Sequence, residues 1–174
     1  MGKRREGREI TVQFLYQIDL QPQDLPIQLV NFWKSRSTDG PMTPPGIRAF
    51  AEELITGVVH NRAEIDAKIS SLSKNYQLNR IAAVDRNVLR LGIYEILLRR
   101  EVPPVIVINE CLEIAKKFGT EDSSRFVNGI LDRVYAEARE SGGPVGESFS
   151  PGRREPAALP SSLDPDESPE HRTA

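Results

Sequence analysis

The sequence predicts an all-α protein. Helical periodicity runs through nearly all of the first 140 residues, strand-like alternation is scarce, and proline or glycine cuts the helical runs at intervals. Residues 4–20 make a first helix on Ile10, Phe14, Leu15 and Ile18, stopped at Gln21-Pro22. A shorter second helix starts with Asp24 as N-cap and Pro26 in its first turn, and its apolar residues are Ile27, Val30, Phe32 and Trp33. Ser35 to Gly46, dense in Ser, Gly and Pro, reads as a loop.

From Ile47 the pattern resumes on Phe50, Leu54, Ile55, Val58 and Val59, then Ile65, Ile69 and Leu72. That is one long helix or two joined near His60-Asn61. A fourth helix spans about Ile81 to Arg100 and stops before Val102-Pro103-Pro104, since proline disfavours helical geometry in the residue before it. The fifth runs from Val105 to Phe118, with Gly119 supplying the position after its end. The sixth runs from Asp122 to about Arg139 on Val127, Ile130, Leu131 and Val134. Two helix triplets of similar size fit this order. Residues 1–140 therefore read as one helical domain. Residues 141–174, rich in Pro, Ser and acids with few large apolar side chains, read as a disordered tail that cannot offset its ordering entropy.

The formal net charge of −2 excludes a general polycation, but the charge is uneven. The tail nets −3 and leaves the body at +1, while Lys3, Arg4, Arg5 and Arg8 stand against only Glu6 within residues 3–8. An anionic partner should meet that end, and the acidic tail is a candidate competitor for it. The single Cys111 excludes an intramolecular disulfide and a Cys-rich zinc site. His60 and His171 read as solvated. No metal or other cofactor is implied. No stretch approaches a transmembrane length, no apolar leader follows the N-terminal cations, and Glu6 breaks the myristoylation pattern, so the expectation is a cytoplasmic protein. A Gly-rich phosphate loop, a Ser-His-Asp set and a pocketed carboxylate pair are all missing, which points away from an enzyme.

Two clusters carry the chemistry. At about 100° per residue, Arg5, Arg8, Val12 and Tyr16 share a stripe of roughly 80° away from the Ile10/Phe14/Ile18 face. Guanidinium groups there suit phosphates, and the tyrosine ring suits base stacking. A solvated basic terminus with Tyr16 half-buried fits the same spacing equally well. The second cluster is Asp122, Ser123, Ser124, Arg125 and Phe126. Arg125 points nearly opposite the apolar face of its helix, and Phe126 sits on the border, where stacking or cation–π contact is open to it. Asp122 could accept hydrogen bonds from an unpaired base. Spacing alone favours the plainer alternative, in which Asp122 and Ser123 are first-turn residues and Phe126 packs on the preceding helix. Asp85, early in the fourth helix, reads as dipole complementation or as part of a partner surface.

The run Val84-Asp85-Arg86-Asn87-Val88-Leu89-Arg90-Leu91-Gly92-Ile93-Tyr94-Glu95, then Val107-Ile108-Asn109-Glu110, then Ala115 through Asp132 with its central Phe118-Gly119-Thr120-Glu121-Asp122-Ser123-Ser124-Arg125-Phe126-Val127-Asn128-Gly129, resembles the bacterial transcription antitermination factor NusB family. Arg4-Arg5, Arg8-Glu9 and Gln13-Phe14-Leu15-Tyr16 fit the arginine-rich opening of that family. The likeness spans residues 3 to about 137 and is looser between 21 and 80. It implies two three-helix bundles packed at a steep angle, and binding of boxA-type single-stranded RNA in ribosomal-RNA leader transcripts together with NusE, a ribosomal small-subunit protein. It also implies action on RNA polymerase with NusA and NusG. The family's RNA contacts fall on Arg4, Arg5, Arg8, Tyr16, Asp122 and Phe126, with Lys3 and Arg125 added by proximity, and Asp85 matches an acidic position linked to assembly. Glu6-Gly7 departs from the pattern, and Gly7 should loosen the first helix by up to about 1 kcal/mol, leaving an arm that orders on RNA. The tail has no family counterpart. Rival readings are a helical protein-binding adaptor with no RNA role and a NusB-like domain related to rRNA methyltransferases.

Overall fold

A computed structural model describes residues 2–21, 24–73 and 76–141. Seven α-helices form among them: α1 (Lys3–Leu20), α2 (Leu25–Asp39), α3 (Pro45–His60), α4 (Arg62–Leu72), α5 (Ala83–Ile93), α6 (Pro104–Phe118) and α7 (Ser123–Glu140). A 3-10 turn, Leu78–Arg80, leads into α5, and a π-helical segment, Tyr94–Arg99, continues it. The tail beyond Ser141 lies outside the described residues, as does the expected stop at Pro22.

The expected division into two halves is visible in two apolar cores, with three helices in the first and four in the second. Ile10 and Phe14 of α1, Phe32 and Trp33 of α2, and Ile47, Ala51 and Ile55 of α3 make the smaller one. Its aromatic rings meet edge to face, Phe14 on Phe32 at 5.2 Å and Phe32 on Trp33 at 5.3 Å, a geometry that the ring quadrupole favours. The larger core joins α4, α5, α6 and α7 and takes in Val12 and Leu15 from α1 and Leu54 and Val58 from α3. Within it, Cys111 is fully buried, and a Cβ on Gly92 would stand 3.1 Å from its sulfur. Helices α1 and α3 thus belong to both cores. Asp19 at the end of α1 fastens the two halves further. It accepts from Arg62 (2.8 Å), Arg86 (3.0 Å), Asn87 (3.0 Å) and Arg90 (2.9 Å), and Arg90 also grips Asp66 at 2.7 Å.

Several elements depart from the sequence reading. Helix α2 continues to Asp39 through the stretch expected to be loop. The hydroxyls of Ser37 and Thr38 donate back to the Lys34 carbonyl at 2.8 and 3.0 Å, so these residues sit in the helix with their polar groups satisfied, and the chain breaks only at Gly40-Pro41. On α2, Ile27 and Val30 face outward, while Gln28 takes a buried position and its amide donates to the Gln21 carbonyl. The run from Ile47 is two helices, and the Asn61 side chain caps the first by donating to the Gly57 carbonyl at 2.7 Å.

The helix expected over 81–100 changes character at Tyr94. Close contact at Gly57, where a Cβ would lie 2.0 Å from the Tyr94 ring, seats Tyr94 against α3 at the start of the wider turn. The segment ends at Arg100 in the left-handed region (φ 55°), whose N–H donates to the Glu95 carbonyl at 2.9 Å. Gly119 follows α6 as expected, yet its backbone is extended (φ −93°). Space requires glycine there, because a Cβ would lie 2.3 Å from Ser123 Oγ and 2.7 Å from the Ala115 carbonyl.

Gly7 is the clearest correction. It does not release a loose arm; α1 is helical from Lys3, and Gly7 is buried where the Phe50 ring crosses the helix. A Cβ on it would meet Phe50 Cδ1 at 2.5 Å. Gly7→Ala should therefore lower stability by about 1–2 kcal/mol in urea titration, because overpacking costs about 1–3 kcal/mol and the gain in helix propensity is at most about 1.

Asp19 makes stability pH-dependent. Burial pushes its carboxyl up, but the Arg90 charge and the bonds from Asn87, Arg86 and Arg90 outweigh burial and hold it below the usual aspartate value. The unfolded chain thus takes up this proton first as pH falls, and the stabilisation present above about pH 4 is lost below it. In urea titrations at stepped pH, the stability gap between the wild type and Asp19→Asn should be constant near neutrality and shrink below about pH 4.

Candidate nucleic-acid interface

Helix α1 is enclosed on most of its circumference, which decides what its cations can do. Arg8, expected in an open stripe, is 3% exposed and forms a bidentate pair with Glu95, itself 2% exposed, at 2.7 and 2.8 Å. Burial draws the guanidinium pKa down, and the hydrogen bonds and charge of Glu95 more than restore it, so Arg8 stays charged. The open-stripe expectation fails for Arg8 because its wheel angle, clear of α1's own apolar face, is the angle at which the π-helical segment packs.

Arg5 is half-buried. It makes a fork-to-fork pair with Glu110 of α6 at 2.7 and 3.0 Å, and this hydrogen bond, ahead of an opposing burial effect, holds the glutamate below its usual pKa. Glu9, one turn later, accepts from Lys117 at 2.8 Å. Both pairs advance in the same sense along α1 and α6, four residues on the first helix against seven on the second. Arg5, Glu9 and Tyr16 lie within roughly 40° on α1, so Tyr16 falls about 10 Å beyond Glu9 on the same face of the helix. Tyr16 is 40% exposed. Arg4 is exposed and lies over the Phe50 ring at 4.5 Å, and Lys3 is exposed beside it at the start of α1.

The α6–α7 corner carries the second cluster. Ser123 is a buried structural residue whose hydroxyl accepts from the Thr120 N–H at 2.8 Å. Asp122 occupies the N-cap position in helical geometry, is exposed, and its carboxylate makes no capping bond. Arg125 is exposed. Phe126 is half-buried against the larger core and meets Tyr76 edge to face at 5.9 Å. Asp85 is buried at the first turn of α5, with its Oδ1 lacking a hydrogen-bond partner among the described residues.

The structure places Arg5 and Tyr16 on one face of α1 and gathers Asp122, Arg125 and Phe126 at the α6–α7 corner. It leaves Lys3 and Arg4 at the far end of α1 and withdraws Arg8 and Asp85 into the interior. Glu9, Glu95, Glu110, Lys117 and Tyr76 are given no role by the sequence reading. The ion pairs span 87 to 108 residues, so no local pattern links them, although the seven-residue spacing of Glu110 and Lys117 places both on one face of α6.

Fold and side chains define a small all-α protein with a candidate nucleic-acid interface, and its likeness to known proteins places it more narrowly. The NusB family model matches residues 5–136, and the chain belongs to the NusB family. The transcription antitermination protein NusB of Sorangium cellulosum is 42% identical over 134 residues, covering 77% of this chain and 92% of the relative. That of Geobacter sulfurreducens is 42% identical over 142 residues, covering 82% and 100%. Among solved structures, NusB of T. maritima superposes with a TM-score of 0.68 at 36% identity, over 79% of this chain and 92% of its own. A crystal structure of antitermination factors NusB and NusE in complex with double-stranded RNA contains a chain that superposes with a TM-score of 0.68 at 25% identity, over 79% and 98%.

The two α1 arginines should separate in denaturant titrations. Arg8→Ala strands Glu95 in the interior and is expected to cost about 3–5 kcal/mol. Arg5→Ala removes a part-exposed pair and should cost no more than about 1 kcal/mol.

Proposed function

We propose that this protein is a transcription antitermination factor that binds boxA-type single-stranded RNA of ribosomal-RNA leader transcripts jointly with NusE, and acts in the cytoplasm on RNA polymerase with NusA and NusG. The observation that carries this reading is the tie between α1 and α6 through Arg5–Glu110 and Glu9–Lys117, with Tyr16 exposed on the same face of α1 and Asp122, Arg125 and Phe126 gathered where α6 passes into α7. Cations for phosphates, aromatic faces for bases and a carboxylate for base edges are the parts that single-stranded RNA recognition needs. The complex of a relative's NusB and NusE with double-stranded RNA supports RNA and NusE as partners, and the single-stranded preference rests on the aromatic and acidic side chains.

In this reading Lys3, Arg4, Arg5, Tyr16, Asp122, Arg125 and Phe126 meet RNA. Arg8 acts from beneath by fixing α1. Asp85, buried at the first turn of α5, serves assembly through the turn that carries it rather than by touching a partner. The mechanism is co-binding without catalysis: RNA and NusE each stabilise the arrangement that the other recognises, which raises both affinities by the same factor.

Fluorescence anisotropy with boxA-type RNA, a scrambled strand and a duplex competitor, with and without NusE, tests it. Selective binding that tightens with NusE is expected. Phe126→Ala should weaken it by about 1–3 kcal/mol. Arg5→Ala should reduce the salt slope by about 0.7. Equal, weak binding to all three RNAs, unchanged by NusE, would leave the adaptor reading in its place.

A further inference from the structure

Tyr76 stands outside every role assigned above, yet it is a large ring, 57% exposed, set edge to face against Phe126 with 80° between the planes. Its backbone is held on firm ground. The Tyr76 N–H donates to the Ser73 carbonyl at 3.0 Å, and the hydroxyl of the buried Ser73 lies 2.8 Å from the Ile69 carbonyl and 3.2 Å from that of Tyr76. Arg133 of α7 donates to the Leu72 carbonyl at 2.7 Å, fixing the end of α4 to the helix that carries Phe126. The ring is therefore anchored through its backbone while much of its surface stays in water. An aromatic side chain serving only to shield Phe126 would gain by turning inward, because apolar burial contributes about 25 cal/mol per Å².

We infer that Tyr76 is a second base-stacking residue of the RNA site, taking an unpaired nucleobase on the part of its ring left open to solvent, beside the base that meets Phe126. This inference rests on the RNA-binding reading and extends the site from the α6–α7 corner to Tyr76, ahead of the 3-10 turn Leu78–Arg80. Because the two rings are nearly perpendicular, bases seated on them lie at a steep angle to each other, so the RNA is splayed at this step. A continuous duplex keeps neighbouring bases stacked and does not fit both rings; a single strand does.

The test uses the full chain and the boxA-type single strand. Tyr76→Trp places an indole at the site, and the sequence's one other tryptophan, Trp33, is buried in the smaller core. RNA should quench the new emission with the same midpoint as anisotropy. Tyr76→Phe should bind within about twofold of wild type, and Tyr76→Leu, which keeps apolar cover over Phe126 without a π face, should bind about 5- to 150-fold more weakly. Thermal melts of both variants establish that they fold, and if Tyr76→Leu does not, the quenching of Tyr76→Trp decides alone. Absence of quenching, or wild-type affinity for Tyr76→Leu, while the wild type binds RNA selectively, overturns the role of Tyr76 alone. Absence of selective binding by the wild type overturns the RNA-binding reading, and this inference with it.

Discussion

The buried pair of Arg8 and Glu95 constrains more of this molecule than any other contact. Two charges in a medium of low dielectric are tolerated only when each is held by the other in good geometry, and the bidentate fork at 2.7 and 2.8 Å meets that condition. Meeting it fixes other things. Glu95 belongs to the π-helical segment, whose wider turn follows the seating of Tyr94 on Gly57. Arg8 also lies 5.6 Å from the centre of the Phe50 ring, which lies against Gly7. The axial position and rotation of α1 are set by these contacts, so the places of Arg5 and Tyr16 on the outer seam follow from an interaction neither of them makes.

This arrangement shapes the electrostatics of the surface. Arg5 and Lys117 each have a carboxylate partner, whereas Lys3, Arg4 and Arg125 have no acidic partner among the described residues. Pairing lowers the net charge that an RNA would meet, but it holds each cation in one orientation with donors to spare. Arg5 uses Nε and Nη2 for Glu110 and keeps Nη1. Such a surface trades long-range attraction for short-range definition. In the proposed RNA-binding role, specificity then leans more on aromatic faces and on a protein partner than on bulk charge.

The helices were legible in the sequence because apolar periodicity is local, and the stops at Pro103-Pro104 and Gly119 fell where the structure has them. What the sequence concealed was set by distant contacts. A helical wheel separates one helix's apolar face from the rest, but α1 is packed on most sides, so a position off its apolar face was still interior for Arg8. Asp122 had the sequence signature of a cap and turned out to be exposed and uncapping. Phe126, placed on the border of its face, was indeed half-buried, although its aromatic neighbour is Tyr76 rather than a residue of α6. Gly7 looked like a defect because its partner, Phe50, lies 43 positions away. In the candidate site, residue types were readable, while exposure and pairing depended on tertiary packing.

The lone thiol of Cys111, pressed beneath Gly92 in the larger core, has its pKa pushed upward, chiefly by burial. Only the thiolate reacts with common labelling reagents, so the folded chain is effectively silent toward them. A cysteine introduced anywhere on the surface would then be modified alone, with the native thiol left in place. Dyes, spin labels or cross-linkers can accordingly be mapped one position at a time along the seam, and any slow reaction at Cys111 reports the opening of the core.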